Sequence, residues 1–323
     1  MQKQLLLWQF VQKELRTGNP VVLLYVLEST GSSPGRQGFG MAVTQSGDMY
    51  GSIGGGMMEH KLVELAKTYF TSNKQEIFLH KQIHNKAAVK NQSGMICSGE
   101  QSVYLQTMGI SDEKEISLLV DSLLKEQNGT LEITPGCIRF YNTYPEADFD
   151  FRFRDESDFI YQEKTGFRQH LYIVGGGHCA LALSKLMRSL DFKIHLIEER
   201  PQLNTLLQNE YAHEIIIIND YTETEKYIPN GESNYSVIMT FGYRTDALAV
   251  RTLQHKKLAY LGMLGSRNKI DTLFQEMEQE DVLSKFETFV RAPIGIAIKS
   301  RTPEEIAISI AAEIIQVKNR NLL

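Results

Sequence analysis

No apolar run in the sequence approaches the roughly 20 residues that a membrane-spanning helix needs, which excludes a helical span. The first residues, MQKQLLLWQFVQKELRTGNP, contain a short apolar stretch but no small-residue cleavage site. The spacing of Leu5, Leu6, Trp8, Phe10, Val11 and Leu15 predicts an amphipathic first helix rather than a signal peptide. Cysteine is scarce: Cys97, Cys137 and Cys179 lie far apart with no CxxC pair. That excludes a disulfide framework and a closed zinc site, and makes a reducing cytoplasm the simplest compartment. Positive charge is not in excess, with 34 Lys and Arg against 39 Asp and Glu, so nothing draws the chain to nucleic acid. No HExxH is present, and Gly-Ser-Ser-Pro-Gly is not a nucleophile elbow.

What the chain does have is length and apolar content. Its 323 residues exceed one ordinary core, and 42% hydrophobic with 23% charged residues is a soluble globular balance. Two domains are expected, 1–168 and 169–323, with 165–170 as the linker. The first reads as a smaller α+β domain: a helix over 3–17, a strand over Val21–Ser29, a hairpin about Gln45-Ser46-Gly47-Asp48, and a helix directly after Gly54-Gly55-Gly56. Strands follow over 76–84 and 101–107, then a helix over 113–127 and an irregular strand-like stretch over 130–164.

The second half alternates continuous apolar runs (LYIV, IHLIEE, IIIIND, SVIMTF, LAYLGMLG) with helical patterns. That is the pattern of an α/β fold, a Rossmann-like parallel sheet with helices on both faces. Thr302-Pro303-Glu304-Glu305 is a capping box that starts a last helix.

Candidate site residues gather in glycine-rich loops. Gly175, Gly177 and Ala180 fit the dinucleotide pattern: Gly175 for the tight turn, Gly177 for close approach to a phosphate, Ala180 for helix packing. Glu198, at the end of the next strand, is placed to hold ribose hydroxyls, and His178 to reach a phosphate or substrate. Cys179 falls in the first helical turn, where the dipole would lower its pKa, but it reads as a small packing residue. NAD(P) is therefore a possible ligand, and a dinucleotide-dependent oxidoreductase an alternative function, although no hydride-transfer set such as Tyr-x-x-x-Lys accompanies the loop.

In the first half, Arg36 sits in a flexible loop, Gly54, Gly55 and Gly56 precede a helix as a phosphate cradle would, and Cys97 lies between glycines in a polar loop. A thiol there is suited to bind a soft metal, carry sulfur or act as a nucleophile. Ser266, Arg267 and Lys269 follow the last strand, where ligands gather in open α/β sheets.

Taken in order, several segments resemble the XdhC/CoxI proteins, accessory factors for xanthine dehydrogenase and related molybdenum hydroxylases. They are Glu28-Ser29-Thr30-Gly31-Ser32-Ser33-Pro34, Gly51 to Glu59, Met95-Ile96-Cys97-Ser98-Gly99, Leu171 to His178, Tyr260 to Lys269, Ala292-Pro293-Ile294-Gly295 and Thr302 to Ala307. The resemblance implies a chaperone that binds molybdenum cofactor (molybdopterin) as cargo. It implies that the chain promotes cofactor sulfuration with a cysteine desulfurase and delivers the product to an apo molybdenum hydroxylase. It implies Cys97 as the group nearest the metal and, with the apolar terminal helix, a homodimer. Three departures stand out: Ser98 follows the cysteine where a glycine is usual, Phe241 stands where a histidine often follows the threonine, and Arg168-Gln169-His170 replaces a proline pair.

Overall fold

The computed structural model describes residues 2–71, 78–83, 99–279 and 290–320. The chain divides into two compact units, Met1–Gly166 and Phe167–Leu323.

The N-terminal unit runs α1 (Gln2–Arg16), β1 (Val21–Gly31), β2 (Gly40–Thr44), β3 (Met49–Gly51), α2 (Gly56–Tyr69), β4 (Phe78–Ile83), β5 (Gly99–Met108) and α3 (Glu113–Leu124). It closes with β6 (Gly129–Thr134), β7 (Cys137–Tyr141), β8 (Phe149–Asp155) and β9 (Asp158–Thr165). Five antiparallel strands form one sheet in the order β3-β2-β1-β5-β4, and four form a second in the order β7-β6-β9-β8. Strand β1 is the centre of the unit. Its Val22, Leu24 and Val26 pack under α2 with Met58, Leu62 and Ala66. Its Val21, Leu23, Tyr25 and Leu27 face Trp8, Leu15, Leu119 and Leu123 of α1 and α3 and Phe159 and Tyr161 of the second sheet. Burial on both faces explains why Val21–Leu27 is apolar without alternation, although its sheet is antiparallel.

The irregular stretch 130–164 proves to be a regular sheet. Strand β9 alternates buried and partly buried residues, whereas β8 is largely exposed and carries Phe149, Phe151 and Phe153 in line. Those aromatics join the edge-to-face contacts of Phe151 with Phe159 and Tyr161, at 6.1 and 6.3 Å.

The C-terminal unit runs β10 (Gln169–Val174), α4 (His178–Ser189), β11 (Phe192–Glu198), α5 (Asn204–Leu207), β12 (Glu214–Ile217), α6 (Thr224–Tyr227), β13 (Gly231–Ile238), α7 (Tyr243–Leu253), β14 (Leu258–Met263), α8 (Arg267–Gln279) and α9 (Pro303–Lys318). All five strands are parallel, in the order β12-β11-β10-β13-β14. This is the doubly wound Rossmann arrangement, whose order reverses between β10 and β13. Leu171, Ile173, Ile194 and Leu196 pack against α4 and α9 on one face. Tyr172, Val174, Ile197 and Ile238 pack against α7 and α8 on the other. The apolar run Ile215–Ile218 is not a buried strand as its composition suggests: β12 is the sheet edge, and Ile215 and Ile217 are exposed. The capping box forms, with Thr302 Oγ1 accepting from the Glu305 amide and Glu305 Oε2 accepting from the Thr302 amide, both at 3.2 Å.

His213 gives this unit an acid-sensitive point. Its Nδ1 accepts the Ile194 amide at 2.9 Å, and its ring lies edge-on to Phe167 at 4.6 Å. Burial, reinforced by the charges of Arg188 and Lys193 and by His195 and His170, pushes its pKa down to about 4. The unfolded chain then binds the proton more readily, so stability is complete above the ordinary histidine pKa of about 6.5 and is lost as pH falls from there toward 4. The urea midpoint of the protein is expected to drop more steeply over that window than that of His213→Asn; parallel slopes would refute the assignment.

Candidate functional site

In the N-terminal unit the glycine loops meet at one end of the five-stranded sheet, and their glycines are needed by one another. A Cβ on Gly35 would fall 2.6 Å from Gln101 Oε1, one on Gly54 (φ +126°) 2.5 Å from the Gly35 nitrogen, and one on Gly99 2.5 Å from the Ser33 nitrogen. Buried Ser33 donates to Gln101 Oε1 at 2.7 Å and fastens the first loop to β5. Arg36 is exposed and donates to the Gly31 carbonyl at 3.0 Å, inside its own loop.

The Gly54–Gly56 turn is filled from within. Glu59 Oε2 accepts from Ser52 Oγ at 2.6 Å, the Ile53 amide at 2.9 Å and the Gly55 amide at 3.1 Å. A carboxylate from the first turn of α2 thus takes the Ile53 and Gly55 amides of the turn that a phosphate was expected to meet, so the turn is tied from within rather than held open. The residue responsible, Glu59, was visible in the sequence as the acid next to the glycines. Cys97 lies outside the described residues. Among the described residues no group of three or more His, Cys, Asp or Glu side chains could hold a metal ion, and Cys137, at the start of β7, is partly buried.

In the C-terminal unit the loops after β10, β11, β13 and β14 surround the strand ends at the order reversal. The three loop glycines have different reasons to be there. Gly175 has φ +110°, and its Cβ would lie 2.7 Å from the Met239 carbonyl carbon and 2.8 Å from Thr240 Cα. Gly176 is hemmed in by Glu198, Leu203 and Leu206 at 3.2–3.3 Å. Gly177 faces nothing within 4 Å, so the fold itself makes no demand for glycine there.

Glu198 does not present itself to a ribose. It is fully buried, and its oxygens accept from the Gly176, Glu199 and Arg200 amides at 2.7, 3.0 and 3.1 Å, from Arg200 Nε and Nη2 at 2.8 and 2.9 Å, and from Tyr221 OH at 3.1 Å. Burial alone would raise its pKa, but the bonds from Arg200 and the Gly176 amide outweigh it and hold the carboxyl below the ordinary range. The side chain that closes this cluster, Arg200, was missed in the sequence; its position two residues after the fingerprint acid was the available signal. Its guanidinium lies over the ring of Phe241, 4.3 Å from the centroid, joining the β11 and β13 loops across the end of β10.

Behind that stack, buried Asp246 accepts from the Thr240 amide at 2.9 Å and Thr240 Oγ1 at 2.5 Å, and pairs with Lys269. Lys269, which the sequence places where ligands gather after the last strand, is therefore committed to Asp246. Arg267, Ser266 and His178 remain exposed at the strand ends, and the Ser266 hydroxyl caps the Lys269 amide at 3.4 Å. Cys179 is half-buried and packs against the core of this unit, as a small packing residue does, and burial and the charge of Glu304 push its thiol pKa up rather than down.

Comparison with known proteins places both units. Residues 171–314 match the XdhC Rossmann domain, and residues 14–80 match the XdhC and CoxI family. The chain is 24% identical over 301 residues to the uncharacterized protein YqeB of Escherichia coli (strain K12), covering 93% of this chain and 44% of that one. It is also 24% identical over 168 residues to a probable xanthine dehydrogenase subunit of Bacillus subtilis (strain 168), covering 51% and 48%. The chain thus spans less than half the length of these curated relatives. Its fold matches the crystal structure of a xanthine dehydrogenase from Bacillus halodurans with a TM-score of 0.69 at 21% identity, over 97% of this chain and 96% of that one. With both characteristic domains present in order, the chain belongs to the XdhC and CoxI family.

Proposed function

We propose that this protein is a maturation factor for xanthine dehydrogenase-type molybdenum hydroxylases, which binds molybdenum cofactor as cargo, supports its sulfuration with a cysteine desulfurase, and delivers it to the apoenzyme. The observation that carries this reading is the presence of both family domains, in order, in one chain. Two of its relatives carry xanthine dehydrogenase in their names, which points to the same class of client. Cys97 supplies the soft sulfur ligand that a dithiolene-bound molybdenum accepts. The Ser33–Gly35, Ile53–Gly54 and Gly99 segments meet in a dense floor of backbone, and exposed Arg36 lies in the same loop, bonded to the Gly31 carbonyl.

The alternative, an oxidoreductase that holds NAD(P) by its ribose, is disfavoured by Glu198, whose oxygens are already taken by Arg200, Tyr221 and backbone amides. A homodimer and a cytoplasmic setting belong to the same proposal. No described helix is long and apolar enough to cross a membrane.

The test is copurification of molybdenum and pterin with the protein from cells making the cofactor, followed by activation of an apo-hydroxylase in the presence of a cysteine desulfurase and cysteine. Wild type is expected to carry the cofactor and activate the client. Cys97→Ala is expected to retain at least about tenfold less molybdenum, as loss of a metal-site interaction does. Turnover of NAD(P)H without any client, or undiminished molybdenum in Cys97→Ala, would overturn the reading.

A further inference from the structure

Strand β11 is fastened on both sides by hydrogen bonds that end on a bare imidazole nitrogen. Buried His195 stands opposite Glu214 of β12, with its Nδ1 2.7 Å from Glu214 Oε2 and its Nε2 3.1 Å from Nδ1 of His170 on β10. A carboxylate only accepts, so Nδ1 of His195 carries the hydrogen, and Nε2 of the neutral ring accepts from His170 Nδ1. The chain of bonds therefore runs from His170 through His195 to Glu214. The rings of Tyr172 and His170 stack on His195 at 4.5 and 5.4 Å and fix its plane. On the other side of β11, His213 accepts the Ile194 amide on Nδ1 at 2.9 Å, and its ring holds Phe167 edge-on at 4.6 Å. Phe167 and His170 belong to the segment by which the chain enters the C-terminal unit, just before and at the start of β10. Glu214 from β12, Tyr172 from β10, Lys193 from β11 and Arg188 from α4 face these rings. On β13 the register partner of His170 is Asn234, which does not titrate.

We propose that His170, His195 and His213 form an acid-released anchor for residues 167–170, the entry into the C-terminal unit. Near neutral pH both accepting nitrogens are bare and the segment is held. A first proton enters the chain on His170 Nε2 without breaking a bond, and the Glu214 carboxylate at the far end balances its charge. The next must go to His195 Nε2, which sets one N–H against another and pushes His170 away. A proton on His213 Nδ1 does the same to the Ile194 amide and turns the ring on which Phe167 rests. The released segment thus binds more protons than the anchored one. Acid therefore favours release, by about tenfold per pH unit for each such proton. Relief is local, because residues 167 and 168 precede the β10 ladder. The anchor stands apart from the maturation reading, since neither Cys97 nor a cofactor nor a client takes part in it.

The test is hydrogen–deuterium exchange of the full chain between about pH 7 and pH 5, on either side of the ordinary histidine pKa. It is read by mass spectrometry on peptic peptides and corrected for the pH dependence of chemical exchange. Peptides covering residues 166–172 are expected to exchange at least about tenfold faster at the acid end, while peptides from β13 and β14 keep their protection. His170→Asn places an amide NH2 where the His170 donor stands, and His213→Asn places a carbonyl oxygen for the Ile194 amide; neither titrates. The double variant is expected to protect the segment near neutral pH as wild type does and to lose the acid response. Wild type with nitrogen-15 in its histidine rings gives a second reading that needs no variant. At about pH 7.5, above the ordinary histidine pKa, NMR is expected to show His195 with a protonated Nδ1 and a bare Nε2, and His213 with a bare Nδ1. Four results would each overturn the proposal: an unchanged 166–172 segment in acid, an increase shared equally by β13 and β14, an acid response that survives in the double variant, or a protonated His195 Nε2 in that spectrum.

Discussion

Replacing Glu198 with glutamine is expected to lower the stability of the C-terminal unit by about 2–4 kcal/mol, since a buried donor left without its acceptor costs about 1–3 kcal/mol, while the partly exposed Arg200 can turn to water. The carboxylate is fully buried and accepts from six donors that come from three segments: the glycine loop through Gly176, the β11 end through Glu199 and Arg200, and the turn before α6 through Tyr221. Glutamine keeps the size but brings an amide NH2 against amides and a guanidinium that only donate. At least two of those donors lose their acceptor, and Arg200 loses its counter-charge. For a unit of this length, each kcal/mol moves the melting temperature by roughly 2–4 °C, so a fall of roughly 10 °C is expected in calorimetry. Glu199→Gln, whose own carboxylate takes no part in the cluster, serves as control and is expected to melt near wild type. A Glu198→Gln transition within about 2 °C of wild type would show that the cluster contributes little.

The same residue shows where sequence reading succeeds and where it stops. The parallel sheet, the strand–glycine–helix turn and the position of Glu198 at the end of the second strand all follow from local pattern, because a continuous apolar run and a glycine turn are dictated within a few residues. The direction in which the Glu198 carboxylate points is not dictated locally. An acid at that place faces either a ligand or the protein, and Arg200 and Tyr221, one of them 23 residues away, decide for the protein. Gly54–Gly56 repeats the lesson: three glycines before a helix read as a phosphate cradle until Glu59 is seen to fold back onto the Ile53 and Gly55 amides. Lys269 escapes the local reading for the same reason, since the buried Asp246 that claims it belongs to another element, α7. The stretch 130–164 hid its sheet because β8 is an exposed edge that breaks the alternation seen in β9.

A large effect of a single added methyl group is expected at Gly175. Alanine there must adopt φ +110°, a conformation that side chains rarely take, and its Cβ would press on the Met239 carbonyl and lie 2.8 Å from Thr240 Cα. Both neighbours are backbone, continuing from β13, which pairs with β10. Relief requires β13 to part from β10 where the Met239 amide bonds to the Val174 carbonyl at 2.8 Å, while the Gly175 amide is held on the other side by the Ile197 carbonyl of β11 at 2.8 Å. Strain of about 1–3 kcal/mol from the backbone adds to a steric cost of about the same size, so Gly175→Ala is expected to lose several kcal/mol or to fail to fold. Gly177→Ala is the internal contrast. With φ −73° and nothing within 4 Å of the new Cβ, it is expected to fold as wild type or to gain about 0.4–1 kcal/mol from a less flexible unfolded chain. Chemical denaturation of the two variants separates the two uses of glycine in one loop. If Gly177→Ala proved as damaging as Gly175→Ala, glycine at 177 would be required by the fold after all, and the space beside it would not be room kept for a ligand.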